Sequence, residues 1–363
     1  MVGTRGRVAI ALVSVLLVAF LVVTSQQAAI GSALFERAVR ERVGRDATAG
    51  LPDGLHVALC GTGSPLPSPG RAGPCTVVIA GNQIFVVDIG EGGGRNISLM
   101  GLPLGRIAGV FLTHFHSDHI DGMGPLMLTR WTAGSNTAPL PVYGPTGVDQ
   151  IVAEFNAAYA IDDTYRTGHH GPLIAPPAGA GGIARPFALP TAGQSDTVVV
   201  LDNDGLKVTA IRVDHGPVKP AVGYRFDYKG RSVVISGDTA KSASLTAAAH
   251  GADLLVHEAL QPKLVGMMTA SLAAKGMTNL AQITRDIVTY HTTPEQAAEV
   301  ASAAGVRELV LSHIVPSIPS KIFYPAFLGD AATRYSGPIV VGEDGMIFSL
   351  PAGTKDIVRG RLM

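Results

Sequence analysis

Residues 113–119 read Thr113-His114-Phe115-His116-Ser117-Asp118-His119 and follow directly on the apolar run AGVFL, 108–112. Packing accounts poorly for four metal-ligating side chains within six residues. Buried without partners, each would carry a desolvation cost, and the histidines would repel one another if protonated together. Imidazole nitrogens and a carboxylate oxygen are donors that suit zinc. Three further residues of the same kind stand at the ends of apolar runs. His215 ends LKVTAIRVDH (206–215), Asp238 ends RSVVISGD (231–238) and His313 ends ELVLSH (308–313). Open α/β sheets gather their sites at the C-terminal ends of strands, so these residues can converge on the first cluster.

Outward from the cluster, short apolar runs stopped by Gly, Asp or His predict strands. HVALCGTG, TVVIAG and QIFVVDIG lie before it, and DLLVHE (253–258) lies after it. One helix is well marked over 294–304. Thr293 is its N-cap, Pro294 takes the first helical position, and Gln296 completes a capping box. Ala297, Val300, Ala301 and Ala304 share one face, and Gly305 stops the helix. Strands alternating with helices indicate a layered α/β or α+β domain. Residues 131–200 break the pattern, and GPLIAPPAGAGGIARPFALPTAG (171–193) reads as a long loop. The expected organisation is a segment of residues 1–50, then one catalytic domain over 51–363 with a loop-rich insertion at about 131–200.

The N-terminus carries Arg5 and Arg7 before VAIALVSVLLVAFLVV, residues 8–23. It reads as a signal anchor, with residues 24–30 completing the span, or as the apolar region of a signal peptide. Either places the protein at a membrane or outside the cell, with the catalytic domain extracytoplasmic. Arg37, Arg40, Arg42 and Arg45 follow the span and dilute any orientation signal. The two cysteines, Cys60 and Cys75, form one bridge in an exported chain or stay as two buried thiols. The 363 residues carry 28 Lys+Arg and 28 Asp+Glu, a formal charge of zero. That balance argues against a general nucleic-acid binder.

The sequence resembles the metallo-β-lactamase superfamily of dinuclear zinc hydrolases. Within it, the match is to the branch holding ribonuclease Z-like tRNA 3′-processing endonucleases and zinc arylsulfatases. The resemblance rests on GTGSPLPSPGRAGP (61–74), DIGEG (88–92), LTHFHSDHIDG (112–122), VYGPTG (142–147), VDHGPVKPAVGYR (213–225), ISGDT (235–239), HEA (257–259), HTTPEQAA (291–298) and LSH (311–313). It implies a four-layer αβ/βα sandwich over about 55–350. It also implies two zinc ions per chain, the first on His114, His116 and His215 and the second on Asp118, His119 and His313, with Asp238 bridging. Two metals about 3.5–4 Å apart can share a hydroxide, which would be the nucleophile. Asp88 would orient the ligand loop. Asp118 and His257 are the expected catalytic residues. His257 would be the proton donor by its match to the HEA histidine, with Glu258 expected to raise its pKa. His291 either contacts substrate or helps cap the following helix.

Three functions share these residues. Residues 61–74 and 112–165 look more like arylsulfatase-type members, so the expected reaction is cleavage of sulfate or phosphate esters of small molecules. The alternative is a tRNA 3′-endonuclease. Three features weigh against it: the N-terminal span, the single basic residue (Arg185) in 171–193, and the six basic against thirteen acidic groups of residues 46–206. A lactonase or β-lactamase shares the ligand cluster but not ISGDT with HEA. The expected partner is therefore a small anionic ester. Nucleic acid is disfavoured, the membrane is met through the N-terminal helix, and a homodimer is implied by resemblance.

Overall fold

The computed structural model describes residues 3–191 and 193–363. The chain divides into two units, one ending at Asp46 and the other spanning Ala47–Met363. The first holds helices α1 (Thr4–Ser25) and α2 (Gln27–Arg42), neither of which buries a side chain. By length and composition α1 is apolar enough to cross a membrane. On α2, Arg37–Glu41 and Arg40–Glu36 pair one turn apart.

Among the described residues, the second unit is built on fifteen strands. The first six are β1 (Gly54–Gly61), β2 (Cys75–Ala80), β3 (Gln83–Ile89), β4 (Ile107–Phe111), β5 (Leu140–Pro145) and β6 (Gly182–Phe187). Next come β7 (Thr197–Asn203), β8 (Leu206–Arg212), β9 (Val222–Tyr228), β10 (Arg231–Ile235) and β11 (Leu254–Leu260). The last are β12 (Glu308–Val315), β13 (Ile339–Val341), β14 (Met346–Pro351) and β15 (Val358–Arg361). One sheet has the order β15-β14-β1-β2-β3-β4-β5-β6 and the other β13-β12-β11-β10-β9-β8-β7. Each sheet is part antiparallel and part parallel, the parallel parts being β3 to β6 and β10 to β13.

The sheets pack face to face. Leu55, Val57, Val78, Phe85 and Phe111 of the first meet Val208, Tyr224, Phe226, Val256 and Val310 of the second. Tyr224 ties them further by donating its hydroxyl to the carbonyl of Leu112, 2.6 Å away. Helices cover both outer faces. The first sheet is covered by α3 (Gly93–Leu99), α5 (Met123–Gly134) and α6 (Val148–His170), with the short α4 (Ser117–Ile120) at its edge. The second is covered by α7 (Ala243–Ala248) and α10 (Pro294–Ala303), while α8 (Pro262–Ala274) and α9 (Thr278–Asp286) form a hairpin after β11. The result is a four-layer αβ/βα sandwich. Strands covered on both faces have no polar side to alternate with, and β1 and β12 are buried along their whole length.

The predicted capping box is present. Thr293 Oγ1 accepts from the Gln296 amide at 3.1 Å, and Gln296 Oε1 accepts from the Thr293 amide at 3.0 Å. Segment 171–193, of which Ala192 lies outside the described residues, is not all loop. It contains β6, paired parallel to β5. This strand ends its sheet, where Pro186 needs no ladder partner, and its Gly-Ile-Ala-Arg-Pro-Phe sequence has no strand-like alternation to betray it. Cys60 and Cys75 are joined in a buried disulfide between β1 and β2.

Arg231 is a buried clamp. Its guanidinium donates to both oxygens of Asp253 (3.1 and 3.0 Å) and to the carbonyls of Pro351, Thr354 and Asp356 (3.0, 2.9 and 3.0 Å). Burial raises the pKa of Asp253, but hydrogen bonds from Arg231, the Ser232 amide and Arg307 outweigh this and lower it. Removing one partner of a buried pair costs up to about 3–5 kcal/mol, and because Arg307 and the Ser232 amide still hold Asp253 the loss falls towards the lower figure. Arg231→Ala should therefore lower the urea midpoint by a loss of that size. Arg231→Lys should recover only part, lacking the two-pronged geometry. A group whose pKa is lowered on folding stabilises above its unfolded value and less as pH falls. The Arg231→Ala deficit should thus shrink below about pH 4.

Candidate metal centre

All the residues singled out at strand ends come to one rim of the sandwich. The loop after β4 supplies His114 and His116, and α4 supplies Asp118 and His119. His215 follows β8, Asp238 follows β10, and His313 lies in β12. Local geometry explains their aim. Gly237, just before Asp238, has φ +61°, and a Cβ there would stand 2.6 Å from the Val222 carbonyl. His313 has φ +46° and sits at a register shift, since Glu258 pairs with Ser312 and Ala259 with Ile314. Such a bulge turns the extra residue out of the ladder, here towards the site. Asp88, at the end of β3, has φ +54°, a strained setting that places its carboxylate against the ligand loop.

The ligand atoms fall into two groups. His114, His116, His215 and Asp238 offer atoms all within 4.8 Å of one another, as do Asp118, His119 and His313. Asp238 lies between them. Its Oδ2 is 3.3 Å from His313 Nε2, 3.4 Å from His119 Nε2, 3.9 Å from His215 Nε2 and 4.0 Å from His114 Nε2. Asp118 Oδ2 is 3.4 Å from His313 Nε2 and 3.6 Å from His119 Nε2.

Outer groups fix the rings. Asp88 accepts from the Thr113 amide and hydroxyl, both at 2.8 Å, and its Oδ2 lies 2.8 Å from His119 Nδ1. That leaves His119 Nε2 facing the cluster. Thr113 Oγ1 is 3.0 Å from His114 Nδ1, and the Tyr290 carbonyl is 3.1 Å from His215 Nδ1. Thr113 and Tyr290 were not singled out in the sequence. The only signal for Thr113 is its place immediately before the His cluster, and a backbone carbonyl leaves none.

Electrostatics separate the histidines. Burial pushes His114 and His215 down, so their rings are neutral and keep a lone pair to donate. Burial also opposes charge on His119, but Asp238 and Asp88 outweigh it and hold that ring well above its usual value. Burial alone would raise Asp238, yet His313 and His119 hold it well below the carboxylate range.

Burial also tests whether these residues fit metal ions. Asp118 Oδ2, His119 Nε2, Asp238 Oδ1 and both nitrogens of His313 are buried without a hydrogen-bond partner. Orphaned polar atoms at this density are costly unless something else satisfies them. All are nitrogen or carboxylate oxygen donors turned towards one another, and the imidazoles of His114, His116 and His215 converge on the same Asp238, so the donor set fits two cations sharing it.

His257 and His291 differ in the side of the structure they face. Successive residues of a strand face opposite sides. On β11, Leu255 packs into the helix-covered outer core and Val256 into the inter-sheet core. His257 therefore faces with Leu255, and Glu258 faces the site. His257 is fully buried, its Nδ1 lies 2.8 Å from the Glu258 carbonyl, and its pKa is lowered, by burial first. His291 instead has Nδ1 2.9 Å from Glu258 Oε1 and lies within 4.8 Å of ligand atoms of Asp238 and His313. Burial opposes its charge, but Glu258 and Asp238 push it up to about 9.

Sandwich and ligand groups together define a metal-dependent hydrolase. The family model described as Beta-lactamase superfamily domain matches residues 98–314. A ribonuclease Z of Mycobacterium avium (strain 104) is 37% identical over 292 residues, covering 80% of this chain and 96% of its own length. That of Mycobacterium bovis (strain BCG / Pasteur 1173P2) is 38% identical over 295 residues, with the same coverage. Among solved structures, the short form of human tRNase Z shares the fold, with TM-score 0.56 at 24% identity, covering 82% of this chain and 99% of that one. So does the metallo-β-lactamase fold protein YhfI of Bacillus subtilis, with TM-score 0.56 at 20% identity over 81% and 99%. The chain belongs to the metallo-β-lactamase superfamily of metallo-hydrolases, in its ribonuclease Z-like branch.

Two expectations are thereby corrected. The relatives are ribonucleases Z, not arylsulfatases, and their name sets aside the view that nucleic acid is disfavoured. Net charge summed over 161 residues gives no local potential, and a site built for cations attracts phosphate whatever the segment's total.

Proposed function

We propose that this protein is a zinc-dependent ribonuclease Z-type phosphodiesterase that cleaves RNA, with precursor tRNA as the substrate class its relatives indicate. One observation carries the reading: two ligand groups meet on Asp238, with donor atoms of Asp118, His119, Asp238 and His313 orphaned, in a chain alignable over 80% of its length with ribonucleases Z. His114, His116 and His215 would hold one zinc ion and Asp118, His119 and His313 the other, with Asp238 shared. Bound there, the pair would supply Lewis acidity, favouring ionisation of water near neutral pH and offsetting charge on phosphoryl oxygens. Asp88, Thr113 and the Tyr290 carbonyl keep the imidazoles turned to the site. His291, paired through Nδ1 with Glu258, holds a proton at Nε2 for the departing oxygen. Glu258 also accepts from the Thr292 and Thr239 amides, which fixes the pair in place.

The test is cleavage of a precursor tRNA carrying a 3′ trailer by zinc-replete full-length protein. A single cut at the trailer junction is expected, abolished by chelator and restored by zinc. Failure to cut RNA while about two zinc ions are bound would overturn the reading.

We further propose that the catalytic unit lies on the oxidising side of a membrane, where the RNA it meets would not be nascent tRNA, so that precursor tRNA serves above as a probe of the chemistry. The apolar, unburied α1 and the Cys60–Cys75 disulfide support it. Alkylation of protein denatured directly from cells without reductant should leave both cysteines unlabelled; labelling of both would refute it.

A further inference from the structure

Orienting His215 requires only the backbone carbonyl of Tyr290, which any residue could offer, so the side chain at that position calls for its own account. The phenol ring packs edge-on against His215 (centroids 5.2 Å apart) and tilted against His291 (5.1 Å). It is only partly buried, and its hydroxyl has no protein hydrogen-bond partner among the described residues. His114, His215 and Asp238 are each at most 3% exposed, whereas His116 is exposed. His215 is flanked by the His116 ring at 5.1 Å and the Tyr290 ring at 5.2 Å. This end of the ligand cluster therefore meets solvent along the edge formed by His116 and Tyr290.

A phosphodiester entering on that side must carry one of its two substituents past the phenol ring. Every nucleobase has a π-face, and stacking on an aromatic side chain is worth roughly 5- to 150-fold in affinity without regard to base identity. A methyl or other small alkyl ester has nothing to stack. We propose that Tyr290 is a specificity-determining residue whose ring stacks on the nucleobase beside the scissile phosphate, so that the site selects nucleotide diesters over simple ones. The inference rests on the phosphodiesterase reading above and names the substituent that this site grips.

Two small substrates with one leaving group isolate the effect: a nucleoside 5′-(4-nitrophenyl) phosphate and methyl 4-nitrophenyl phosphate. With zinc-loaded full-length protein, Tyr290→Ala should raise KM for the nucleoside diester on the order of 5- to 150-fold. The preference for the nucleoside diester, read as the ratio of kcat/KM between the two substrates, should fall by the same factor whatever smaller loss the methyl diester shows. Tyr290→Phe keeps the ring and should behave as the native protein. An equal fall in kcat on both substrates would mean that the side chain only positions His215, and no change on either would mean that it touches nothing; each overturns the proposal. Precursor tRNA assayed alongside keeps the two readings apart. A Tyr290 effect on the nucleoside diester with tRNA uncut would remove the ribonuclease reading alone. Cut tRNA with no such effect would remove this one alone.

Discussion

Asparagine at position 238 is expected to lower phosphodiester turnover by on the order of 10³-fold or more and to reduce bound zinc from about two ions per chain to one or fewer. The change keeps size and shape and removes only charge. Asp238 Oδ2 is the carboxylate oxygen that comes within 4.0 Å of imidazole nitrogens from both ligand groups, so the loss cannot fall on one group alone. An amide offers one neutral acceptor where two cations would share an anion. Metal catalysis contributes several kcal/mol of charge stabilisation, and each 1.36 kcal/mol is tenfold in rate, which sets the magnitude. Binding metal to the folded state alone also raises stability by mass action. The difference in Tm between zinc-loaded and chelator-treated protein should therefore be large for the native chain and much smaller for Asp238→Asn. Metal analysis and paired thermal melts check both points. An Asp238→Asn protein with two ions and native turnover would show that Asp238 is not the shared ligand.

The candidate ligand set is legible because its signals are local. His114, His116, Asp118 and His119 are within six residues, and His215, Asp238 and His313 each follow an apolar run, where a strand's C-terminal end must lie. The strands of the core were legible for the same reason. What escaped depends on direction rather than position. His257 and Glu258 are neighbours in sequence but opposite in facing, and only the packing of Leu255 and Val256 into different cores tells which side is which. β6 escaped because its partner, not its composition, makes it a strand. The disulfide was an open alternative until β1 and β2 proved to be antiparallel neighbours with Gly61 opposite Cys75. Substrate class is not legible in charge counted along the chain, because a substrate meets charge in space.

That opposite facing of His257 and Glu258 makes the proton-transfer role testable. His291→Ala should lower kcat on a diester with a poor, alkoxide-type leaving group by about 10²- to 10⁴-fold, the usual contribution of a positioned acid. A nitrophenolate departs without help, so the same variant should lose far less on an aryl diester. His257→Ala should show no such split. Its ring sits among buried residues with Nδ1 against the Glu258 carbonyl, so truncation leaves a cavity and a lost hydrogen bond, read as lower Tm with both substrates affected alike. Glu258→Gln gives the sign in pH. Glu258 raises the His291 pKa, and an acid catalyst works in its protonated form, so activity on the alkyl diester should fall as pH rises through that pKa. Removing the carboxylate's charge must move this basic limb to lower pH, whatever cations sit nearby, because it deletes a contribution of fixed sign. A limb that stays in place, or a leaving-group split that appears with His257→Ala instead, would return the proton to His257.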